Sequence, residues 1–363
     1  PTRRSSDLLS SATLDLTGNT IGTTDTNTNP SDSAAIKITT APDAMESTDQ
    51  DPNGDPDVSQ IAQDLLASNS GASTVQLWND ATYNEDGEIL VNDGESIQDA
   101  IDAAQDGDTV VVEPGDYDGQ ITVNKDITLR GPEFDTAGNA NARGDDEATI
   151  NGQVVVNAEG TGASVEGFTV SPSSDKVTDN ETGEVIRVEG GADDVTIRNN
   201  VVRDVDGSAL PEGLDGINLF GGTDDTIEGA DVSNNLVTGL NGPSDNGVSG
   251  ISIQGNVSDA TISDNHVNNL GGTSAFAFGI TVRGTGNVDT TPSGIEVTNN
   301  DIRNISSNGN FEYSAGVGIG FESEYTGVDT LSDNTVRNVD FLLEAKDVED
   351  GGNTVLINRT ELE

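Results

Sequence analysis

"IRNNVV", Ile197 to Val202, sets two amides side by side in an apolar stretch. Asparagine is a poor strand former, and a buried amide is costly unless its hydrogen bonds are met. Yet nearly the same phrase returns as "VSNNLV" from Val232, "ISDNHV" from Ile262, "VTNNDI" from Val297 and "LSDNTV" from Leu331. The fixed second amides are Asn200, Asn235, Asn265, Asn300 and Asn334, spaced 35, 30, 35 and 34 residues apart; an earlier copy carries Asn19. A period of this size means stacked units that bury their apolar faces against one another, not one globular core. Asparagine tolerates left-handed backbone, and its amide both donates and accepts. A column of asparagines, one per unit, can therefore satisfy itself.

A second phrase precedes each of the first: "VIRVEG" from Val185, "GINLFG" from Gly216, "GISIQG" from Gly250, "GITVRG" from Gly279 and "GIGFES" from Gly318. Apolar and outward residues alternate, the period of a strand with one buried face. The inward set is Ile186, Val188, Ile217, Leu219, Ile251, Ile253, Ile280, Val282, Ile319 and Phe321. The outward set forms two rows: Arg187, Asn218, Ser252, Thr281 and Gly320, then Glu189, Phe220, Gln254, Arg283 and Glu322. Equivalent strands in neighbouring coils lie about 4.8 Å apart.

Ahead of the repeats, "VNDGESIQDAIDAAQDGDTVVVEPGDYDG" opens at Val91. Ser96 caps a short helix with Ile97, Ala100, Ile101 and Ala104 on its buried stripe, and Gly107 ends it in the left-handed conformation. This passage and the asparagine column resemble the pectate-lyase-like superfamily over about residues 90–363. That resemblance implies an all-β fold, a right-handed parallel β-helix with a short N-terminal capping helix that plugs the open core. It also implies a groove along which a polysaccharide lies. The candidate contacts are Arg187, Glu189, Asn218, Phe220, Gln254, Arg283 and Glu322; a solvated sheet face whose charges pair between coils is the alternative.

Composition divides the rest of the chain. Residues 1–8, "PTRRSSDL", match one reading frame of a common sequencing adapter and stand outside the fold reading. Residues 9–40 carry the early asparagine phrase and read as the remnant of a preceding β-helix unit. Residues 41–92 have the Asp, Asn, Pro, Gly and Ser content of an acidic linker, interrupted by one helical stripe, Val58, Ile61, Ala62, Leu65 and Leu66. Asp57 and Gln60 have the spacing of a capping box there. The β-helix occupies 93–363.

The formal charge is −50, with four lysines and eleven arginines. Nucleic acid and anionic membrane surfaces are repelled by such a chain. Acid-rich, lysine-poor surfaces resemble those of proteins from salt-loving archaea; at molar salt the Debye length is about 3 Å and the self-repulsion is screened. No apolar run in the sequence is long enough to span a bilayer. There is no cysteine, which excludes disulfides and thiolate metal sites, and the single histidine, His266, excludes multi-histidine sites. At the free position of an asparagine phrase, His266 reads as an exposed turn residue.

Calcium is the one cofactor the residues leave open. "DQDPNGDPDVSQ" from Asp49 sets Asp49, Asp51, Asn53, Asp55 and Asp57 at near-alternate positions, with Gly54 for the bend. It resembles the aspartate-rich loops of dockerins and thrombospondin type 3 repeats. Gln60 stands where calcium loops carry a bidentate Glu, and two prolines interrupt it, so an acidic linker is the alternative. Four sequons, at Asn180, Asn256, Asn304 and Asn358, fall in or near expected loops and accord with an exported glycoprotein.

Catalysis finds less support. Pectate lyases of this fold use clustered Asp ligands and a basic proton acceptor; polygalacturonases use paired aspartates with a nearby histidine motif. Neither set is present. Asp215 in "LDGIN" has no second carboxylate in its phrase, and Arg283 beside Glu322 reads as an ion pair. The expectation is a non-catalytic, cell-surface or secreted β-helix scaffold that contacts polysaccharide or a cell-surface glycan. A polysaccharide lyase or hydrolase acting in the groove is the alternative.

Overall fold

The computed structural model describes residues 36–37, 57–67, 73–77, 79, 81–176, 183–211, 213–222, 225–272, 274–284, 290–307, 315–321, 328–339, 341–344 and 354–356. They form a mostly-β solenoid, a parallel β-helix whose chain visits three long sheets in turn. These hold twelve, nine and eight strands, and a further two-stranded sheet pairs Ile227–Glu228 with Val257–Ser258.

The register explains the repeat. Ile186, Ile217, Ile251, Ile280 and Ile319 stack in one inward column of the eight-stranded sheet. Ile197, Val232, Ile262, Val297 and Leu331 stack in the twelve-stranded sheet, and Val202, Val237, Val267, Ile302 and Val336 in the nine-stranded one. All fifteen are buried. Mostly β-branched, they suit a pleated buried face, and each completes the packing surface of the next coil.

The opening amides divide two tasks that the sequence assigns to one residue. The first residue of each pair takes the left-handed turn: φ is +58° at Asn199, +57° at Asn234, +56° at Asp264, +57° at Asn299 and +57° at Asp333. The second is buried and forms the ladder. Asn235 Oδ1 accepts from the Asn200 backbone N–H at 2.9 Å, and Asn265 Oδ1 from that of Asn235 at 3.0 Å. Asn300 and Asn334 continue the series, and each ladder Nδ2 also donates to a strand carbonyl such as Val165 O or Val232 O. A second, exposed ladder joins Asn304 Nδ2 to Asn269 Oδ1 at 3.3 Å and Asn338 Nδ2 to Asn304 Oδ1 at 2.7 Å. This puts the Asn304 sequon on a strand, Asp301–Ile305, and not in a loop. Asn19, Asn180 and Asn358 lie outside the described residues.

The cap is built from two helices. Helix α1, Val58–Ala67, buries the expected stripe, and Asp57 Oδ1 accepts the Gln60 N–H at 2.9 Å. The reciprocal half of the capping box is missing, because the Gln60 amide donates instead to Asp64. Residues 74–91 form three short strands that extend the twelve-stranded sheet, antiparallel to one another, and Ile89–Val91 runs parallel to Thr109–Val112. Helix α2, Ile97–Ala103, is capped by Ser96 Oγ, with Gly107 beyond it at φ +91°. Gln98 of α2 lies along Ile121–Val123, the end strand of the eight-stranded sheet. Its Oε1 accepts from Thr122 N–H at 2.8 Å and its Nε2 donates to Thr122 O at 3.2 Å. One side-chain amide thus pairs an edge that would otherwise offer free backbone groups. Lys125 Nζ closes the other end of α2 on the carbonyls of Ile101, Asp102 and Ala104.

Residues 131–147 leave the coil and strap the outside. Gly138 N–H donates to Asn234 O at 2.8 Å, and Arg143 Nη1 to Asn199 O at 2.8 Å. Glu147 holds Arg143 through both carboxylate oxygens and accepts from Thr169 Oγ1.

Candidate functional site

The outward face of the eight-stranded sheet is not flat. Its strands Gly183–Glu189, Leu214–Gly221, Gly247–Gly255, Phe276–Arg283 and Ala315–Phe321 pair in register except at one column: Val185, Gly216, Gly250 and Gly279 are skipped. There the inward/outward alternation slips by one residue. A Cβ on Gly250 would lie 2.4 Å from Val267 Cγ1 and 2.6 Å from Gly279 O, so this position points into the core, as does Ile251 beside it. Two successive inward residues bend the strand so that its outer surface becomes concave, as at a bulge.

The bend turns three rows toward each other. One wall carries Glu184, Asp215, Ser249 and Phe278, register partners in successive coils. The floor is Arg187, Asn218, Ser252, Thr281 and Gly320, with the first four buried. The opposite wall carries Glu189, Phe220, Gln254 and Arg283, all half-buried. Of these, Glu184, Asp215, Ser249, Phe278, Arg187, Phe220, Gln254 and Arg283 line a cleft of about 370 Å³ to which Asn246 and Gly247 add a rim, whereas the buried Asn218, Ser252, Thr281 and Gly320 are not part of its lining. Sequence alternation yields the floor and the second wall; the first wall escapes it because the glycine shifts the phase. Glu322 lies outside the described residues.

The cleft's charges are already paired. Arg187 Nη1 donates to Glu184 Oε1 at 3.0 Å, its Nε is 3.4 Å from Glu189, and its guanidinium covers one face of the Phe220 ring at 4.6 Å. Asn218 Nδ2 donates to Asp215 Oδ2 at 2.7 Å. Arg283 Nη2 donates to Gln254 Oε1 at 3.2 Å and lies 3.6 Å from Asp215 Oδ2. Arg187 and Arg283 line the same cleft. Asp215 also has a carboxylate neighbour in the next coil, Glu184. Two buried oxygens, Asn218 Oδ1 and Ser252 Oγ, have no hydrogen-bond partner among the described residues.

His266 is a correction. It is 7% exposed and starts the strand His266–Leu270 of the nine-stranded sheet, away from the groove. It is buried because its register partner Asp301 and the neighbouring Arg303 fold over it: Nδ1 is 3.2 Å from Arg303 Nη2 and 3.4 Å from Asp301 Oδ2. Burial first, then the Arg303 charge, hold its pKa below the ordinary 6.5, against the pull of Asp301. The unfolded chain therefore binds this proton more readily than the folded protein. The stability contribution is fully present above about pH 6.5 and is lost as pH falls through that value toward the lower folded one. Denaturation midpoints should thus fall more between about pH 7.5 and pH 5 in the wild type than in His266→Gln. Equal falls in the two proteins rule out this role.

Of the calcium-loop residues, Asp57 caps α1, and Asp49, Asp51, Asn53 and Asp55 lie outside the described residues. Among the described residues no three His, Asp or Glu side chains gather as a metal site, and no helix is long and apolar enough to cross a membrane.

No protein-family model matches the chain, and no curated protein does. Among solved structures, the A-module of the mannuronan C-5 epimerase AlgE6 of Azotobacter vinelandii is similar at 16% identity and a TM-score of 0.29, over 76% of this chain and 90% of that one. The family 28 exopolygalacturonase of Yersinia enterocolitica is similar at 12% identity and a TM-score of 0.22, over 77% and 82%. The Agl-KA catalytic domain follows at 13% identity and a TM-score of 0.20, over 73% and 66%. At these values no residue role passes from them to this chain.

Proposed function

We propose that this chain is a non-catalytic β-helix scaffold, outside the cell or on its surface in a salt-rich medium, that binds a neutral polysaccharide segment along the concave groove. The observation that carries the reading is the cleft itself. Aromatic rings, carboxylates and amides converge there, a mixed apolar and hydrogen-bonding lining suited to sugar faces and hydroxyls. The ligand is neutral because Arg187 and Arg283 each already face a carboxylate, leaving three acidic groups against two guanidiniums in a protein of charge −50.

The absence of a suitable acid/base pair supports binding over catalysis. No histidine, lysine or tyrosine is among the described residues lining the cleft, and a guanidinium stays protonated at ordinary pH. Glycoside hydrolysis needs carboxylates flanking the scissile bond, about 5–9.5 Å apart. Glu184 and Asp215 instead share one wall as register partners. Their proximity is still what favours the second reading, a polysaccharide hydrolase or lyase.

A glycan array in molar salt, with and without calcium, tests both. Phe220→Ala should weaken binding of a retained neutral glycan about tenfold while leaving the melting temperature within a degree or two. If no glycan is retained, the groove reading fails. New reducing ends, or absorbance of an unsaturated uronate, replace the scaffold with the enzyme.

A further inference from the structure

The groove has a gap and a bar across it. The Gly247–Gly255 strand puts the small Ser249 in one wall and Ser252 in the floor, with Gln254 in the other wall, between coils that carry Phe220 and Phe278. Phe278 leans away from this gap: a Cβ on Gly320 would lie 2.7 Å from its ring, so the ring covers the floor of the following coil. Arg283 goes the other way. From the second wall it passes Gln254 in the adjacent coil and reaches Asp215, two coils back and on the opposite wall. Its side chain is 39% exposed, against 10% for Asp215.

From this geometry we infer that the Arg283–Asp215 pair is a salt-sensitive strut that closes the groove, and that a glycan segment enters only when it opens. This rests on the glycan reading above. The pair is loose at 3.6 Å and partly exposed, so it is of the weak class that salt screens. The Debye length falls from about 8 Å at 0.15 M to about 3 Å at 1 M salt, shorter than the separation of the two charges. Opening frees Asp215 to accept from a sugar hydroxyl while Asn218 still donates to Oδ2, the oxygen that Arg283 had faced. Ser252 Oγ and Asn218 Oδ1 on the same sheet face stay buried, outside the cleft's own lining. The unusual consequence is binding of an uncharged ligand that strengthens as salt rises.

Calorimetric titration of the full chain with a neutral oligosaccharide retained on the array is the test, at about 0.15 M and about 1 M KCl. The wild type should bind a few-fold more tightly at the higher salt, up to about fivefold. Arg283→Gln, which removes the charge and shortens the side chain, should bind with the high-salt affinity at both. A variant that keeps the wild-type salt response, or binds more weakly at both, overturns the strut. A ligand-free arm keeps the two ideas apart. The double-mutant cycle of Arg283→Gln and Asp215→Asn, read by denaturant midpoints, should show coupling at the lower salt that vanishes at the higher. No coupling at the lower salt also overturns the strut. A wild type that binds no oligosaccharide at either salt, with coupling intact, overturns the glycan reading instead.

Discussion

Replacing Asn265 by leucine should lower stability by about 4 kcal/mol. Asn265 Oδ1 accepts from the backbone N–H and from the side-chain amide of Asn235, both at 3.0 Å. Its Nδ2 donates to Val232 O at 2.8 Å and to Asn300 Oδ1 at 3.1 Å. Leucine is close in size but makes none of these bonds. It leaves a buried N–H and a buried carbonyl with no water to replace the lost partner, at roughly 1–3 kcal/mol each. The control is Asn304→Gly in the exposed ladder: glycine tolerates the φ of +56° there, solvent reaches the freed groups, and the cost should be at most about 1 kcal/mol. Urea midpoints of the two variants, measured in molar salt, decide the matter. Equal midpoints would mean that the buried column contributes no more than the exposed one.

Gly250→Ala should remove glycan binding altogether and cost about 2–3 kcal/mol. The added methyl carbon would sit 2.4 Å from Val267 Cγ1, 2.6 Å from Gly279 O and 3.1 Å from Leu270 Cδ1. One of those atoms is backbone of the next coil and the others are core side chains, so the strand itself has to shift. Shifting it undoes the bend, and with it the facing of Asp215 and Ser249 toward Phe220 and Gln254. Gly222→Ala, whose added carbon would find nothing nearer than 3.9 Å, is the matched control and should leave both midpoint and binding unchanged. Retained binding in Gly250→Ala would show that the cleft does not need the bend.

These two positions also mark what is visible in the amino-acid string. The ladder asparagines, the inward columns and the α2 cap announce themselves, because a period near 34 residues and a strand period of two are both one-dimensional signals. The wall that holds Asp215, Ser249 and Phe278 is hidden by the same rule that reveals the rest. Counting back from Ile217 by twos points residue 215 into the core, and only the phase slip at Gly216 turns it out. A polar or aromatic residue immediately before the glycine, as in "LDGIN", "VSGIS" and "AFGIT", is the local sign of that slip. The partner of Arg283 was missed for another reason. Column reasoning links neighbours one coil apart, and a long guanidinium side chain on a concave face reaches two. His266 looked like a turn residue because nothing adjacent in sequence covers it; Arg303 does so from the next coil.

The strap at 131–147 changes how the molecule comes apart. A stack whose units touch only their neighbours opens like a zipper from either end, each unit leaving independently of those two places away. Here the segment leaving Thr128–Arg130 is hydrogen-bonded to the turns at Asn199 and Asn234, well beyond its own neighbour. Those units cannot separate until the strap lets go, so they exchange their amide hydrogens as one cooperative block. Among the described residues, the units that follow Asn265 have no such tie from the strap, so they should exchange their amide hydrogens separately from that block and before it.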